Sequence, residues 1–184
     1  MTFNLPILLT WLRIAFIPLM VLFFYLEAPW GPLAAATTFG LAGLTDWADG
    51  YYARKLNQES PFGAFLDPVA DKLIVAVAML LIVEREAYFW FTLAAMVIIG
   101  REIVISALRE WMAQIGASSK VAVAFIGKIK TTAQIIALIF LLYNQTLWGL
   151  PLREVGIIAL VVATALTLFS MLQYLRSAFL SLQF

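Results

Sequence analysis

The sequence contains no cysteine and no histidine among its 184 residues. Without cysteine the chain can form neither disulfides nor thiolate-bound metal sites. Without histidine it lacks the side chain that most often acts as a base near neutral pH. Any bound metal must therefore be held mostly by oxygen, which favours hard cations such as magnesium, manganese or calcium over zinc.

Charged residues are also scarce, because they make up only 12% of the chain whereas 64% is hydrophobic. The mean hydropathy of +0.95 is too high for a water-soluble domain of this length and predicts an integral membrane protein. No long polar tract divides the sequence, so we expect a single membrane domain over residues 1–184. The net charge of +1 gives no indication of a nucleic-acid partner, and we expect none.

Apolar stretches long enough to cross a bilayer as a helix, about 20 residues each, occur six times in the sequence. They are too long and too continuously apolar to be strands of a membrane barrel, so an all-α, polytopic fold is predicted. The predicted segments are residues 6–26, 32–53, 64–83, 88–109, 121–143 and 152–175.

The cationic residues are divided unequally between the two ends of these segments. Ten lie on the side that carries both termini, and only Arg85 and Arg153 lie on the other side. Short cytoplasmic loops retain lysine and arginine, so both termini are predicted to be cytoplasmic. Trp30, Trp90 and Trp148 fall near the predicted outer ends, where indole rings suit the headgroup boundary.

Two polar residues, Thr10 and Arg13, share a helical face in the otherwise apolar first segment. One interpretation is that this part of the segment lies in the cytoplasmic interface before the chain enters the bilayer. The other is an ordinary helix start from which Arg13 extends its guanidinium to the headgroups. Both interpretations treat Arg13 as an interface residue.

The stretch TDWADGYYARKLNQESPFGAFLDPVADK, residues 45–72, contains four aspartates. Asp46 and Asp49 are three apart and Asp67 and Asp71 are four apart, so each pair occupies one face of a helix. A short loop between the two helices can bring these acidic faces together. Four facing carboxylates near hydrocarbon are strongly unfavourable unless divalent cations bind between them. The pattern therefore predicts a site for one or two hard cations, which suits transfer of a phosphate-containing group.

Two glycines and an arginine accompany the aspartates. Gly50 and Gly63 lack side chains where a nucleotide or phosphate would approach the backbone, and Arg54 offers a planar donor for phosphate oxygens. Local pairing, for example of Asp49 with Arg54, is an alternative explanation for a single aspartate near a helix end. It does not account for the set of four.

Basic residues in the fourth and fifth segments form a second candidate group. Arg101 and Arg109 lie in GREIVISALREWMA, and Lys128 lies in GKIKTTAQ, where Lys130 follows. An acceptor that carries a phosphate needs cationic groups beside the metal site, and we predict that Arg101, Arg109 and Lys128 supply them as a group. The alternative is that these charges only set the topology or contact anionic lipid.

The motif DxxDGxxAR, followed after eight residues by GxxxDxxxD, is present without a gap. It resembles the signature of the CDP-alcohol phosphotransferases, which are integral membrane enzymes of phospholipid synthesis. The resemblance implies a six-helix enzyme with a cytoplasm-facing polar cavity, located in a bacterial inner membrane and typically homodimeric. The residues that carry the motif are Asp46, Asp49, Gly50, Ala53, Arg54, Gly63, Asp67 and Asp71.

The same resemblance implies roles for the signature residues. Two magnesium or manganese ions would be bound by Asp46, Asp49 and Asp67, with a contribution from Asp71. Asp71 would also be the general base for the acceptor hydroxyl. The residues expected to bind the CDP group of the donor are Asp46, Gly50, Ala53, Arg54, Gly63 and Asp67.

The segments that flank the signature, from residue 4 to about residue 174, resemble one branch of this family. That branch transfers the phosphatidyl group of CDP-diacylglycerol to sn-glycerol 3-phosphate and releases CMP. Sister transferases that use inositol phosphate, serine or phosphatidylglycerol share the signature and remain an alternative. A divalent-cation transporter also places carboxylates inside a bundle, but it does not require Gly50, Ala53, Arg54 and Gly63 at these intervals. A noncatalytic scaffold leaves the four aspartates without a reason.

Overall fold

The computed structural model describes the backbone of residues 5–56, 61–115 and 125–181. Side chains are described within these ranges except at positions 5, 6, 47–56, 61, 64, 125–128 and 177–181. The described chain forms six helices and one small hairpin. In chain order these elements are α1 (Leu5–Tyr25), α2 (Gly31–Leu56), α3 (Pro61–Glu86), α4 (Phe89–Gln114), α5 (Phe125–Tyr143), β1 (Thr146–Leu147), β2 (Leu150–Pro151) and α6 (Leu152–Ser181).

Each predicted apolar segment corresponds to one helix, so the all-α prediction is confirmed. Helices α2, α4 and α6 continue several residues beyond the predicted segments at their charged ends, reaching Leu56, Gln114 and Ser181. Hydropathy marks where hydrocarbon contact stops, whereas backbone hydrogen bonding continues into the polar boundary. These three helices therefore extend beyond their apolar segments.

Three helices in the described ranges are individually long and apolar enough to cross a membrane. These spans are Ile7–Tyr25, Phe89–Gln114 and Leu152–Arg176, and α5 contributes a shorter apolar stretch, Ile129–Tyr143. Helices α2 and α3 carry the signature aspartates. The three long apolar helices support a membrane protein.

The hydrophobic core receives side chains from every helix. It lies between the helices, whereas large apolar residues such as Leu22, Phe65 and Ile158 are more than half exposed on the outside. That exposed apolar surface is expected of a protein surrounded by lipid. One buried core residue from each helix, in order, is Met20, Phe39, Met79, Ile98, Leu138 and Leu160.

The approach of α6 to α5 depends on a glycine. A Cβ atom added at Gly156 would lie 3.0 Å from Cγ of Leu141 and 3.1 Å from Cβ of Phe140. Small residues allow helix backbones to approach closely in membranes. In the chain between these helices, β1 and β2 form an antiparallel hairpin whose turn residues, Trp148 and Gly149, both have positive φ, as a type I′ hairpin turn requires.

Buried hydroxyl groups inside the helices are satisfied locally. Thr38 donates to the carbonyl of Ala34, and Thr167 donates to the carbonyl of Ala163 at 2.6 Å. A polar group in an apolar environment is costly without a hydrogen bond. These residues therefore need no ligand to explain their presence.

At the end of the bundle away from the signature, three charged residues form what we call the outer clasp: Arg85, Glu86 and Arg153. Arg85 donates to the backbone carbonyls of Leu141 and Leu142 at the end of α5. The carboxylate of Glu86 is buried and accepts from Nη2 of Arg153 at 2.5 Å. The clasp therefore joins α3, α5 and α6 at this end.

Candidate active site

The signature residues lie at the end of α2 and in the first turns of α3. Asp46 lies in α2, and Gly63, Asp67 and Asp71 lie in α3. Gly63 is buried, whereas Asp67 and Asp71 are partly exposed. The remaining signature positions, at 49, 50, 53 and 54, have helical backbone in α2, and the side chains of Asp49, Ala53 and Arg54 lie outside the described set.

The structure brings the acidic faces of α2 and α3 together at Arg13. One guanidinium nitrogen of Arg13, Nη1, lies 3.2 Å from Oδ1 of Asp46 and 2.6 Å from Oδ1 of Asp71. One turn earlier in α1, the hydroxyl of Thr10 donates to Oδ1 of Asp67. Three signature carboxylates therefore converge on a single face of α1.

The interpretation of Arg13 as an interface residue is wrong. Both Thr10 and Arg13 are completely buried, with 0% of each residue exposed. An arginine is withdrawn from water in this way only when anionic partners compensate its charge. Asp46 and Asp71 are those partners.

The chemistry of these side chains fits a hard divalent cation. Asp46, Asp67 and Asp71 offer carboxylate oxygens from two helices, which are the ligands that magnesium and manganese prefer. Among the described side chains, no three potential ligands close around one point. The fourth carboxylate, that of Asp49, lies outside the described set, so the residues present form part of the predicted ligand group.

A polar cavity of about 340 Å³ opens beside Asp71. We call it the cationic cavity, because Arg101 and Arg109 from α4 and Lys130 from α5 line it. Two of the three predicted acceptor residues, Arg101 and Arg109, thus share one space with Asp71. The side chain of Lys128 lies outside the described set, and Lys130, two positions later, lines the cavity.

The charges of the cationic cavity are arranged around one carboxylate. Oε1 of Glu102 accepts from Nη1 of Arg101 and from Nζ of Lys130, both at 2.8 Å. Arg101 and Lys130 are only 8% and 2% exposed. With Arg109 and Lys72, four cationic residues line the cavity, and only Glu102 and Asp71 are anionic, so the wall retains an excess of positive charge.

Two further residues of the cavity were not identified from the sequence. The ring of Tyr174 in α6 packs against both arginines, since the guanidinium carbons of Arg101 and Arg109 each lie 5.6 Å from its centroid. Gln134 of α5 is 5% exposed, and its Oε1 has no hydrogen-bond partner among the described residues. The Tyr174 ring therefore helps to hold the guanidinium groups of Arg101 and Arg109 in place. Gln134 offers a hydrogen-bond acceptor in a cavity rich in donors.

Comparisons with known proteins agree with the signature. The family profile of CDP-alcohol phosphatidyltransferase matches residues 3–172. The chain is 55% identical over 178 residues to a protein of Shigella flexneri serotype 5b, which covers 97% of this chain and 96% of the relative. It is 54% identical over the same length, with the same coverage, to a protein of Escherichia coli strain K12.

Both relatives are named CDP-diacylglycerol--glycerol-3-phosphate 3-phosphatidyltransferase, as is a 55% identical protein of Shigella boydii serotype 4. The match extends over nearly the whole of each sequence and includes all the segments that form the aspartate cluster and the cationic cavity. With the motif uninterrupted and the family profile covering six helices, the chain belongs to the CDP-alcohol phosphatidyltransferase family.

Proposed function

We propose that this protein transfers the phosphatidyl group of CDP-diacylglycerol to sn-glycerol 3-phosphate, giving phosphatidylglycerophosphate and CMP. The names of relatives that are 54–55% identical support this substrate pair. The observation that carries the proposal is the position of Asp71. Its carboxylate lies with Asp46 and Asp67 at the signature and also lines the cationic cavity. A donor bound at the signature and an acceptor bound in the cavity would therefore meet at Asp71.

The donor occupies the aspartate side in this proposal. Asp46, Asp49, Asp67 and Asp71 would hold magnesium or manganese, most simply as a pair of ions. When bound, such cations neutralise the diphosphate and stabilise the departing CMP. The CDP group lies against the signature positions, where Gly50 and Gly63 permit close approach and Arg54 donates to phosphate oxygens, alongside Ala53.

The acceptor occupies the cationic cavity. Arg101, Arg109 and Lys130 surround the phosphate of glycerol 3-phosphate, and Lys128 joins them as the sequence predicts. Charge-assisted hydrogen bonds from such groups are the strong ones. Oε1 of Gln134 accepts a hydrogen bond from a glycerol hydroxyl, which orients the acceptor with its reactive end toward Asp71.

Asp71 serves as the base in the transfer. As the acceptor hydroxyl oxygen forms a bond to the phosphatidyl phosphorus, the bond from that phosphorus to the oxygen of CMP breaks, and the hydroxyl proton passes to Asp71. No histidine is available for this task anywhere in the sequence. The acyl chains of the donor remain in the bilayer beside the exposed apolar faces of the helices.

The membrane arrangement follows from the same proposal. All six helices cross the inner membrane of a bacterium, and both termini are cytoplasmic, so the polar ends of α2 and α3 face the water-soluble acceptor. The protein acts as a homodimer. The three most apolar helices support membrane insertion, and the excess of basic residues at the signature end supports its cytoplasmic orientation.

The decisive experiment measures CMP release by detergent-purified protein supplied with CDP-diacylglycerol. We expect release only when both glycerol 3-phosphate and magnesium or manganese are present, and we expect chelation by EDTA to abolish it reversibly. If inositol phosphate, serine or phosphatidylglycerol replaced glycerol 3-phosphate better, the acceptor assignment would be wrong and the transferase assignment would stand. Cation flux into vesicles without CMP release would favour a transporter instead.

A further inference from the structure

Helix α1 carries no signature residue, but two of its side chains contact the signature aspartates. Thr10 and Arg13 are three residues apart and occupy one face of α1, and both are completely buried. The residues around them on the same helix include Trp11 and Leu12, which are exposed and apolar. The polar face of this helix is therefore confined to one turn, and that turn is directed at the aspartates.

Thr10 and Arg13 together contact three carboxylates on two helices. Arg13 bridges Asp46 of α2 and Asp71 of α3 through one nitrogen, at 3.2 and 2.6 Å. Thr10 donates to Asp67, one helical turn before Asp71. A single turn of α1 thus contacts one signature carboxylate of α2 and both signature carboxylates of α3.

The aspartates and Arg13 differ in their exposure to solvent. The side chains of Asp46 and Asp71 are 48% and 44% exposed, whereas the side chain of Arg13 is 1% exposed. The carboxylates therefore lie between the buried guanidinium and the open side of the site. Residues that hold ligating carboxylates from behind fix their orientation and commonly control metal affinity.

We infer that Thr10 and Arg13 are positioning residues for the divalent-cation site: they orient the carboxylates of Asp46, Asp67 and Asp71, which form part of the ligand group for the metal. This inference rests on the metal role in the proposed function. It adds a third helix to the machinery, because the signature itself lies only on α2 and α3. Neither residue needs to touch substrate for this role.

A purely structural role for the same contacts makes a different prediction. If Thr10 and Arg13 only tie α1 to the bundle, their loss lowers stability and leaves the intrinsic affinity for metal unchanged in the folded protein. If they position the ligands, affinity falls even when folding is intact. Thr10 separates the two possibilities well, because removing its hydroxyl changes no net charge.

The experiment compares wild-type full-length protein in detergent with Thr10→Val and Thr10→Ser. Manganese affinity is measured from the electron paramagnetic resonance signal of the unbound ion, and folding is checked by the thermal unfolding midpoint. We expect Thr10→Val to bind manganese about 10–100-fold more weakly, as for other residues that orient metal ligands. Thr10→Ser retains the hydroxyl and should bind nearly as tightly as wild type.

If Thr10→Val does not yield folded protein, Thr10→Ala removes the same hydroxyl with less bulk, and the same weakening is expected. Unchanged manganese affinity in folded Thr10→Val or Thr10→Ala would overturn the positioning role while leaving the proposed function intact. Equal losses in Thr10→Ser and Thr10→Val would also overturn it, since the hydroxyl would then be irrelevant. Wild-type protein that bound no manganese, with or without CDP, would remove the metal role on which the inference rests.

Discussion

Lys130 of α5 donates to the carboxylate of Glu102 on α4 at 2.8 Å, and its side chain is 3% exposed. The same carboxylate oxygen accepts from Arg101, so two cations of the cationic cavity share one anion. This pairing places a carboxylate beside the buried Lys130 nitrogen in the wall of the cavity. Arg109 belongs to the same wall and packs on Tyr174 beside Arg101.

The first prediction concerns Glu102→Gln. The substitution leaves Lys130 buried beside two arginines without its paired carboxylate, and breaking a buried pair in this way is strongly destabilising. We expect a lower thermal unfolding midpoint in detergent. Glycerol 3-phosphate should raise that midpoint more in the variant than in wild type, because its phosphate supplies the missing negative charge. Glu110→Gln, at an exposed position of the same helix, is the control, and similar midpoints in both variants would contradict the prediction.

The second prediction concerns Arg109→Ala. Loss of a hydrogen bond to a charged group costs about 1.5–3 kcal/mol, so we expect kcat/KM for glycerol 3-phosphate to fall about 10–100-fold. The KM for CDP-diacylglycerol should change little, because the proposed donor site is on the aspartate side. Arg176→Ala removes an exposed arginine near the end of α6 and should leave both constants near wild type. An equal effect of the two variants would show that bulk charge, and not the cavity, matters.

The third prediction tests Lys128, which the sequence assigns to the acceptor phosphate. Lys128→Ala should raise the KM for glycerol 3-phosphate more than the KM for the lipid donor, since only the acceptor phosphate loses a cationic partner. Steady-state kinetics with each substrate varied in turn measures the two constants. Parallel changes in both would remove Lys128 from the acceptor site.

The fourth prediction addresses the proposed base. Asp71→Asn removes the proton-accepting carboxylate while preserving its size, so CMP release should fall to background. The variant should still fold and bind CDP-diacylglycerol, because Asp46, Asp49 and Asp67 are unchanged. Its thermal unfolding midpoint should fall, because the buried Arg13 loses one of its two anionic partners. Turnover near the wild-type rate would exclude Asp71 as the base.

The fifth prediction separates the outer clasp from catalysis. Arg153→Met leaves the buried carboxylate of Glu86 with a weaker partner in Arg85, at 3.7 Å, and should destabilise the protein by about 1–3 kcal/mol. Both Michaelis constants should remain near wild type, since the clasp lies at the opposite end of the bundle. Unchanged thermal stability would mean that this pair contributes little.

Hydropathy was sufficient to locate all six helices, because each is an apolar run bounded by charges or turn residues. The spacing of the aspartates also placed Asp67 and Asp71 correctly on one helix. Helix rotation was harder to predict. The sequence assigned Lys128 to the acceptor site, whereas Lys130 is the α5 lysine that lines the cavity among the described side chains, because the packing of α5 against its neighbours decides which face meets the cavity.

The role of α1 could not be predicted from the spacing of residues along the sequence either. Thr10 and Asp67 are 57 residues apart, and Arg13 and Asp71 are 58 apart, so no periodicity relates them. A signal was nevertheless present: two polar residues on one face of an otherwise apolar helix need buried partners or water. The sequence alone favoured water at the interface, and the folded bundle supplied carboxylates instead.

The positive excess of the cationic cavity has a practical consequence for choosing among alcohols. Neutral glycerol has the hydroxyls of the acceptor but brings no charge to balance Arg101, Arg109 and Lys130. Inorganic phosphate has the balancing charge but no alcohol to transfer to. If the acceptor binds in this cavity as proposed, inorganic phosphate should inhibit competitively with glycerol 3-phosphate. Phosphate buffers would then weaken the apparent affinity for the acceptor.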